Sequence, residues 1–172
     1  MLDFKQYIRE IPDFPKPGIN YKDITPLLLE PQIVKLSVEA ILDNLPKNIT
    51  IHKVVGIESR GFLLSSIIAQ KLNAGLVLVR KPGKLPHKTH KQSYDLEYGK
   101  DTIEIHMDDI KAGENVIVHD DVLATGGTAR ATNELIAMCG GNLIQNNFII
   151  ELKDLKGREK LRDVDVFSLM TY

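Results

Sequence analysis

The sequence predicts an α/β protein: a central, mostly parallel sheet covered by helices on both faces. Three observations predict it. Apolar strand-like runs alternate with stretches of helical spacing from residue 54 to residue 169. Those runs are continuously apolar, as strands buried between two helical layers must be. Three chemically rich loops, 58–61, 80–92 and 120–128, fall at strand ends, where parallel sheets place their ligand sites.

The elements follow in order. Residues 3–9 read as a short helix, which runs into I-P-D-F-P-K-P-G at 11–18. Three prolines and a glycine forbid a continuing helix there and predict a stiff extended arm. Residues 31–44 have helical spacing. Val54, Val55 and Ile57 form a strand, E-S-R-G turns, and 62–72 is a helix apolar on nearly every side. Such a helix lies deep in the core or against another subunit. Ser65, Ser66 and Ala69 would permit close approach. Leu76–Val79 is the next strand. Residues 81–92, basic and proline-containing, read as an exposed loop; 94–98 and 102–106 alternate as a hairpin with one wet face. Lys111–Glu114 turns. Val116–Val118 is a central strand that ends in Asp120 and Asp121. Thr128, Ala131, Thr132, Leu135, Ile136 and Cys139 form one helical stripe, with Cys139 in the core, and Gly140-Gly141 stops the helix. Phe148–Leu152 and Val164–Leu169 are the last strands.

Composition sets the outer limits. The chain has 172 residues, 43% of them apolar and 26% charged, enough for one globular domain with a real core. The net charge of −1 disfavours a nucleic-acid partner. No apolar run has the length of a membrane span, and M-L-D-F-K-Q-Y lacks a signal-peptide core. The single cysteine excludes an internal disulfide and fits a reducing, cytoplasmic setting. The five histidines lack the spacing of a zinc set, so no structural metal is expected.

The densest chemistry lies in V-I-V-H-D-D-V-L-A-T-G-G-T, residues 116–128. Two adjacent carboxylates repel each other unless a cation or hydroxyl donors engage them. Glycines let backbone N–H groups turn around an anion, a following helix adds a favourable field, and Thr125 and Thr128 add hydroxyls. The loop suits a phosphate and the acids suit hydroxyls or a metal; a sugar phosphate offers both. Neither a G-x-x-x-x-G-K-[ST] loop nor a G-x-G-x-x-G fingerprint is present. Arg60 leaves the tight turn G-I-E-S-R-G-F at 56–62. Arg80, Lys81 and Lys84 follow a central strand directly in L-V-R-K-P-G-K-L-P. S-Y-D-L-E-Y-G occupies 93–99, and F-P-K-P-G-I-N-Y places an aromatic, Tyr21, on the rigid arm, where it can stack on a planar base.

The D-D-x-x-x-T-G-G-T loop resembles the phosphoribosyl pyrophosphate (PRPP) signature of type I phosphoribosyltransferases. From about residue 11 onward the F-P-x-P-G, S-R-G-F, R-K-P-G-K-L-P, L-E-Y-G and D-D-x-x-A-T-G-G-T elements stand in the order of that family's adenine-using branch, followed by E-L-K-D-L-K-G-R-E-K-L. The resemblance implies a Rossmann-like single domain over 1–172, with an N-terminal hood and base-binding arm over 1–30 and a flexible lid hairpin over 81–106. It implies that Asp120 and Asp121 hold the ribose diol, partly through magnesium held mainly by PRPP, directly or through water. It gives the 5′-phosphate to Ala124, Thr125, Gly126, Gly127 and Thr128. Pyrophosphate falls to Ser59, Arg60, Arg80, Lys81 and Lys84, with Arg80 helping or packing structurally. The family often has a non-proline cis peptide in the 58–61 turn. Asn20, Tyr21, Arg60, Val122 and Leu123 surround the base.

The reaction so implied is magnesium-dependent purine salvage: adenine plus PRPP gives AMP plus pyrophosphate, with Arg60 and Glu97 as catalytic residues. Glu97, on the lid, resembles the family residue assigned to the purine N7 proton. A homodimer is implied as well. Three positions depart from the family's usual residues: His119 where an aliphatic is usual, Asn20 where an aliphatic is common, and Tyr21 where phenylalanine is common. The alternatives are transfer to xanthine, hypoxanthine or guanine, and a non-enzymatic PRPP-sensing regulator. The arm and R-K-P-G-K-L-P argue against the first; the slightly negative net charge argues against the second.

Overall fold

A computed structural model describes residues 2–95 and 99–172. Its centre is a five-stranded, wholly parallel sheet. The strands are β3 (Lys53–Ile57), β4 (Gly75–Val79), β7 (Asn115–Leu123), β8 (Asn142–Glu151) and β9 (Asp165–Thr171), in spatial order β4-β3-β7-β8-β9. Helices α2 (Pro31–Asp43), α3 (Gly61–Leu72) and α4 (Gly127–Met138) connect and cover it. One core cluster joins Ile33, Val38 and Ile41 of α2 to Leu64, Ile68 and Ala69 of α3 and to Ile117 and Ile149 of the sheet. A second joins Val55, Val77 and Val118 to Ala131, Leu135 and Ile136 of α4. The two clusters lie on opposite faces because alternate residues of each strand point to opposite sides. Burial of these side chains at about 25 cal/mol per Å² is what holds the layers together.

Several elements differ from the sequence expectation. The helix expected at 3–9 is one 3-10 turn, Phe4–Tyr7, capped by Asp3, whose carboxylate accepts from Lys5 N–H. The chain then forms β1 (Arg9–Ile11), which pairs antiparallel with β2 (Tyr21–Asp23). The arm is therefore a folded-back ribbon rather than a straight extended segment, and its turn contains a cis Phe14-Pro15 bond. A short helix α1 (Thr25–Leu29), with Pro26 in its first turn, buries Leu27. Within this chain helix α3 has Ser65 and Ala69 in the core, while Ser66 is exposed and Leu63 is 46% exposed.

The hairpin is longer than its alternation indicates. Strand β5 (Thr89–Asp95) begins inside the basic segment expected as loop, and pairs with β6 (Lys100–His106). Ile103 and Ile105 of β6 enter the core. Glu97, with Leu96 and Tyr98, lies outside the described residues. Strand β7 does not stop at the acidic pair; it continues through both aspartates to Leu123, because β8 pairs with it as far as Glu151. Cys139 caps α4 half-buried, its thiol 3.8 Å from the His106 carbonyl oxygen.

Strand β8 also starts earlier than its apolar run. Gln145, Asn146 and Asn147 are buried in it. The Asn147 side-chain oxygen lies 2.7 Å from Nδ1 of His119. His119 is fully buried in the neighbouring strand, and burial pushes its pKa down to about 4, so it is a neutral part of the sheet.

Candidate active site

The carboxyl ends of β3, β4 and β7 open into a cleft of about 320 Å³. Ser59, Arg60, Lys81, Asp120, Asp121, Val122, Ala124 and Thr128 line it, together with Glu58, Tyr94 and Ile103. A smaller adjoining cavity of about 70 Å³ is lined by the Leu123–Thr128 loop with Asp120. Three loops far apart in sequence thus meet, as the position of ligand sites in parallel sheets requires.

The phosphate-type loop is formed by the start of α4. Gly126 adopts φ +76° at the N-cap, a left-handed conformation that glycine enters without a Cβ penalty. The first helical N–H groups have no intrahelical partners and face outward with the positive end of the helix dipole. Behind the loop runs the 3-10 turn Gly157–Leu161. A Cβ on Gly157 would lie 2.1 Å from the Ala124 carbonyl oxygen, and one on Gly126 would lie 2.4 Å from the Gly157 carbonyl oxygen. The two glycines allow the backbones to pack directly. Arg158 fixes that turn through a bidentate contact with Glu151, at 3.0 and 2.6 Å, and a bond to the Val166 carbonyl at 2.7 Å. Gly157 and Arg158 carried no assigned role in the sequence. The K-G-R run was visible, but no local spacing links it to a loop thirty residues earlier.

Asp121 is buried and Asp120 half-buried. Burial and the neighbouring Asp121 charge raise the Asp120 pKa well above the ordinary carboxylate range. Burial raises Asp121 too, against the opposing pull of Arg60. Arg60 Nε lies 3.0 Å from Asp121 Oδ2. The same guanidinium donates to the Tyr21 hydroxyl and lies 5.1 Å from that ring's centroid. Tyr21 also meets Phe14 edge-on at 5.2 Å. Arg60 therefore spans the gap between sheet end and arm. Asn20 places its side chain elsewhere: it donates to Glu10 at 2.7 Å, and Glu10 also holds Lys22 at 2.8 Å.

The Glu58-Ser59 peptide is cis. Glu58 ties this turn to the next loop, accepting from Lys81 N–H at 2.8 Å and pairing with Arg80 Nε at 3.3 Å. Burial works against its charge, but the Lys81 N–H and Arg80 keep its pKa below the ordinary value. Arg80 is thus turned to Glu58 and to the Lys84 carbonyl, and does not line the cleft. Lys84 is exposed and outside the lining as well. Leu123 is 1% exposed, in a cluster with Ala129, Phe148 and Leu161, so of the Val122–Leu123 pair Val122 is the one that lines the main cleft. The strand pleat explains that division, since neighbouring residues face opposite ways.

A family model for the phosphoribosyl transferase domain matches residues 21–169. An adenine phosphoribosyltransferase of Christiangramia forsetii is 60% identical over 171 residues, spanning 99% of both chains. The solved adenine phosphoribosyltransferase of Rhodothermus marinus superposes with a TM-score of 0.93 at 51% identity, covering 98% of this chain and 96% of that one. The Saccharomyces cerevisiae enzyme, solved with D-2,5-dideoxy-2,5-imino-altritol 1,6-bisphosphate and adenine, superposes with a TM-score of 0.93 at 41% identity, covering 97% and 96%. On a family match across most of the chain and identities of this size over its whole length, the protein belongs to the phosphoribosyltransferase family and, within it, to the adenine phosphoribosyltransferases.

Proposed function

We propose that the chain transfers the 5-phosphoribosyl group of PRPP to N9 of adenine, releasing pyrophosphate and AMP. One observation carries the proposal: the acidic pair, the glycine loop and the Arg60–Lys81 cations line one continuous cleft at the sheet's carboxyl end. The 5′-phosphate is assigned to the backbone of Ala124–Thr128 at the α4 N-terminus, and the ribose diol to Asp120 and Asp121. In the transfer, the C1′–O bond breaks with its electron pair going to pyrophosphate, while N9 approaches the opposite face of C1′. Cations placed where the leaving charge develops lower that barrier. Arg60 and Lys81 are the two that line the cleft. The negative acids beside the sugar suit a ribosyl centre that gains positive character. Glu97 keeps, by resemblance alone, the role of handling the purine proton.

Adenine is assigned to the space between Tyr21 and Val122, with backbone groups near Asn20 and Arg60 reading its edge, since the Asn20 side chain is engaged by Glu10. A donor–acceptor pair that suits adenine leaves buried groups unpaired with hypoxanthine. Magnesium dependence is part of the proposal. The Asp120–Asp121 pair is a hard oxygen set, and burial raises both pKa values, so a cation or hydroxyl donors at the pair would favour its charged form. These two would hold the ion directly or through water. Among the described residues no three His, Cys, Asp or Glu side chains gather to hold a metal, so PRPP would supply the remaining ligands. When bound, the ion would offset phosphate charge. A homodimer is proposed on the resemblance and on the apolar Leu63 and Leu76 that α3 and the edge strand β4 expose. A cytoplasmic location is proposed on the single free cysteine. Among the described residues no helix is long and apolar enough to cross a membrane.

The test is a side-by-side assay of adenine, hypoxanthine, guanine and xanthine with PRPP and magnesium, scored by pyrophosphate release. Adenine is expected to turn over at least about 100-fold faster than the others. Equal turnover of another purine overturns the base assignment, and no release with any base overturns the reaction.

A further inference from the structure

Lys81 lines the cleft with its ammonium already paired to an anion. Its Nζ contacts Asp101 Oδ2 on β6. The Tyr94 hydroxyl donates to the same oxygen at 3.2 Å, and Thr102 N–H donates to Oδ1 at 2.8 Å. The Tyr94 ring packs in turn on the phosphate-type loop, with Cδ2 at 3.2 Å from where a Gly127 Cβ would sit. The backbone of Lys81 is fixed by Glu58. Its amide end is thus anchored, its ammonium end is free to change partners, and Asp101 is held in place by groups other than Lys81. The Lys81 and Asp101 side chains are 42% and 27% exposed, so water reaches the pair and can assist an exchange. Burial disfavours the Lys81 charge, but Asp101 and Tyr94 outweigh it, and the ammonium contact keeps Asp101 ionised.

We propose that Asp101 is a positioning residue that holds the Lys81 ammonium at the cleft and competes with the pyrophosphate group for it. The proposal rests on the reaction proposed above. A pyrophosphate reaching Lys81 displaces the carboxylate from the ammonium, and when the product leaves, Asp101 takes the ammonium back. The competition weakens binding of PRPP and of free pyrophosphate alike. It leaves adenine untouched, because Asp101 and Lys81 engage each other and Tyr94 of the hairpin, whereas Tyr21 of the arm engages Arg60.

The experiment is a double-mutant cycle of Asp101→Asn and Lys81→Met, read by calorimetry of pyrophosphate binding with magnesium and by steady-state KM values. Asp101→Asn removes the charge at nearly constant shape and keeps one acceptor oxygen, enough for the Thr102 N–H. It is expected to tighten pyrophosphate and to lower the PRPP KM about 5-fold at low salt, with the adenine KM unchanged. In the Lys81→Met background the same change is expected to have no effect. Weaker or unaltered pyrophosphate binding in Asp101→Asn overturns the proposal. So does a gain that persists without Lys81, which would be a direct field effect. Calorimetry needs no turnover, so a wild-type protein that binds pyrophosphate but forms no AMP would count against the proposed function and leave this test standing.

Discussion

The Asp120–Thr128 loop lines the cleft, the arm meets it through the Tyr21 contact with Arg60, and the two are built differently. The loop is held by close backbone packing: Gly126 and Gly157 touch main chain to main chain, and Phe148 and Leu161 are buried beneath. The arm between residues 12 and 18 is exposed throughout; the β1–β2 ladder holds its base, and surface contacts do the rest: Arg9–Asp23 at 3.2 Å, Lys22–Glu10 at 2.8 Å and the Phe14–Tyr21 ring contact. Surface pairs contribute about 0–1 kcal/mol each, whereas an overfilled backbone contact costs about 1–3 kcal/mol. On the assignment proposed above, the phosphate end of the site is held by packed backbone and the base end by weaker surface contacts. Arg60 is the link, paired with Asp121 on one side and Tyr21 on the other.

The largest expected effect is at that link's buried end. Asp121→Asn keeps the shape but weakens the hold on Arg60 and on the sugar, and should lower turnover by about 100-fold while far-ultraviolet circular dichroism stays unchanged. An effect below about 3-fold would remove Asp121 from the site. Gly157→Ala comes next, because its Cβ meets main chain and not a flexible side chain. It should destabilise by about 1–3 kcal/mol and raise the PRPP KM more than the adenine KM. Calorimetric melting with steady-state kinetics reads both, and a variant with native Tm would show that the two backbones separate easily.

The arm should respond in the opposite sense. Tyr21→Ala is expected to raise the adenine KM by about 10-fold with the PRPP KM nearly unchanged, and Tyr21→Phe to keep most of the stacking. Equal loss in both variants would mean that the hydroxyl contact to Arg60, not the ring, sets base affinity.

The smallest effect is a pH dependence behind the loop. Arg158 holds the Glu151 pKa below its ordinary value of 4.5. A carboxylate whose pKa is lowered on folding stabilises the fold above its unfolded value, and that contribution is lost as pH falls through the folded value. Arg158→Met should therefore lower Tm by about 2–4 °C at pH 7, with the gap to wild type closing below about pH 4. A gap that stays constant from pH 7 to pH 3 would assign it to packing by Arg158 instead of its charge.

The sheet and its site were legible because apolar runs and the glycine loop carry strong local signals. Strands β3, β4 and β7 and helices α2, α3 and α4 lie within a few residues of the expectation. Elements set by tertiary contact were not legible. The ribbon β1–β2 depends on the chain folding back. The first half of β8 is mostly polar, and Gln145, Asn146 and Asn147 carry no strand signal of their own until neighbouring strands enclose them. At the site, the motif showed which residue types assemble but not which way each side chain turns. Arg80 and Lys84 stand beside Lys81 in sequence, yet only Lys81 reaches the cleft, because Glu58 engages Arg80. Asp101 and Gly157 act on partners twenty to thirty residues away, and no spacing rule reveals such pairs.

The most direct test of the whole account is a calorimetric titration of PRPP with magnesium into the wild-type protein and into an Asp120→Asn, Asp121→Asn double variant. Saturable binding by the wild type, weakened at least about 30-fold in the double variant, is the predicted result. Equal binding by both proteins, or no heat with the wild type, would contradict the assignment of the paired acids to the phosphorylated sugar.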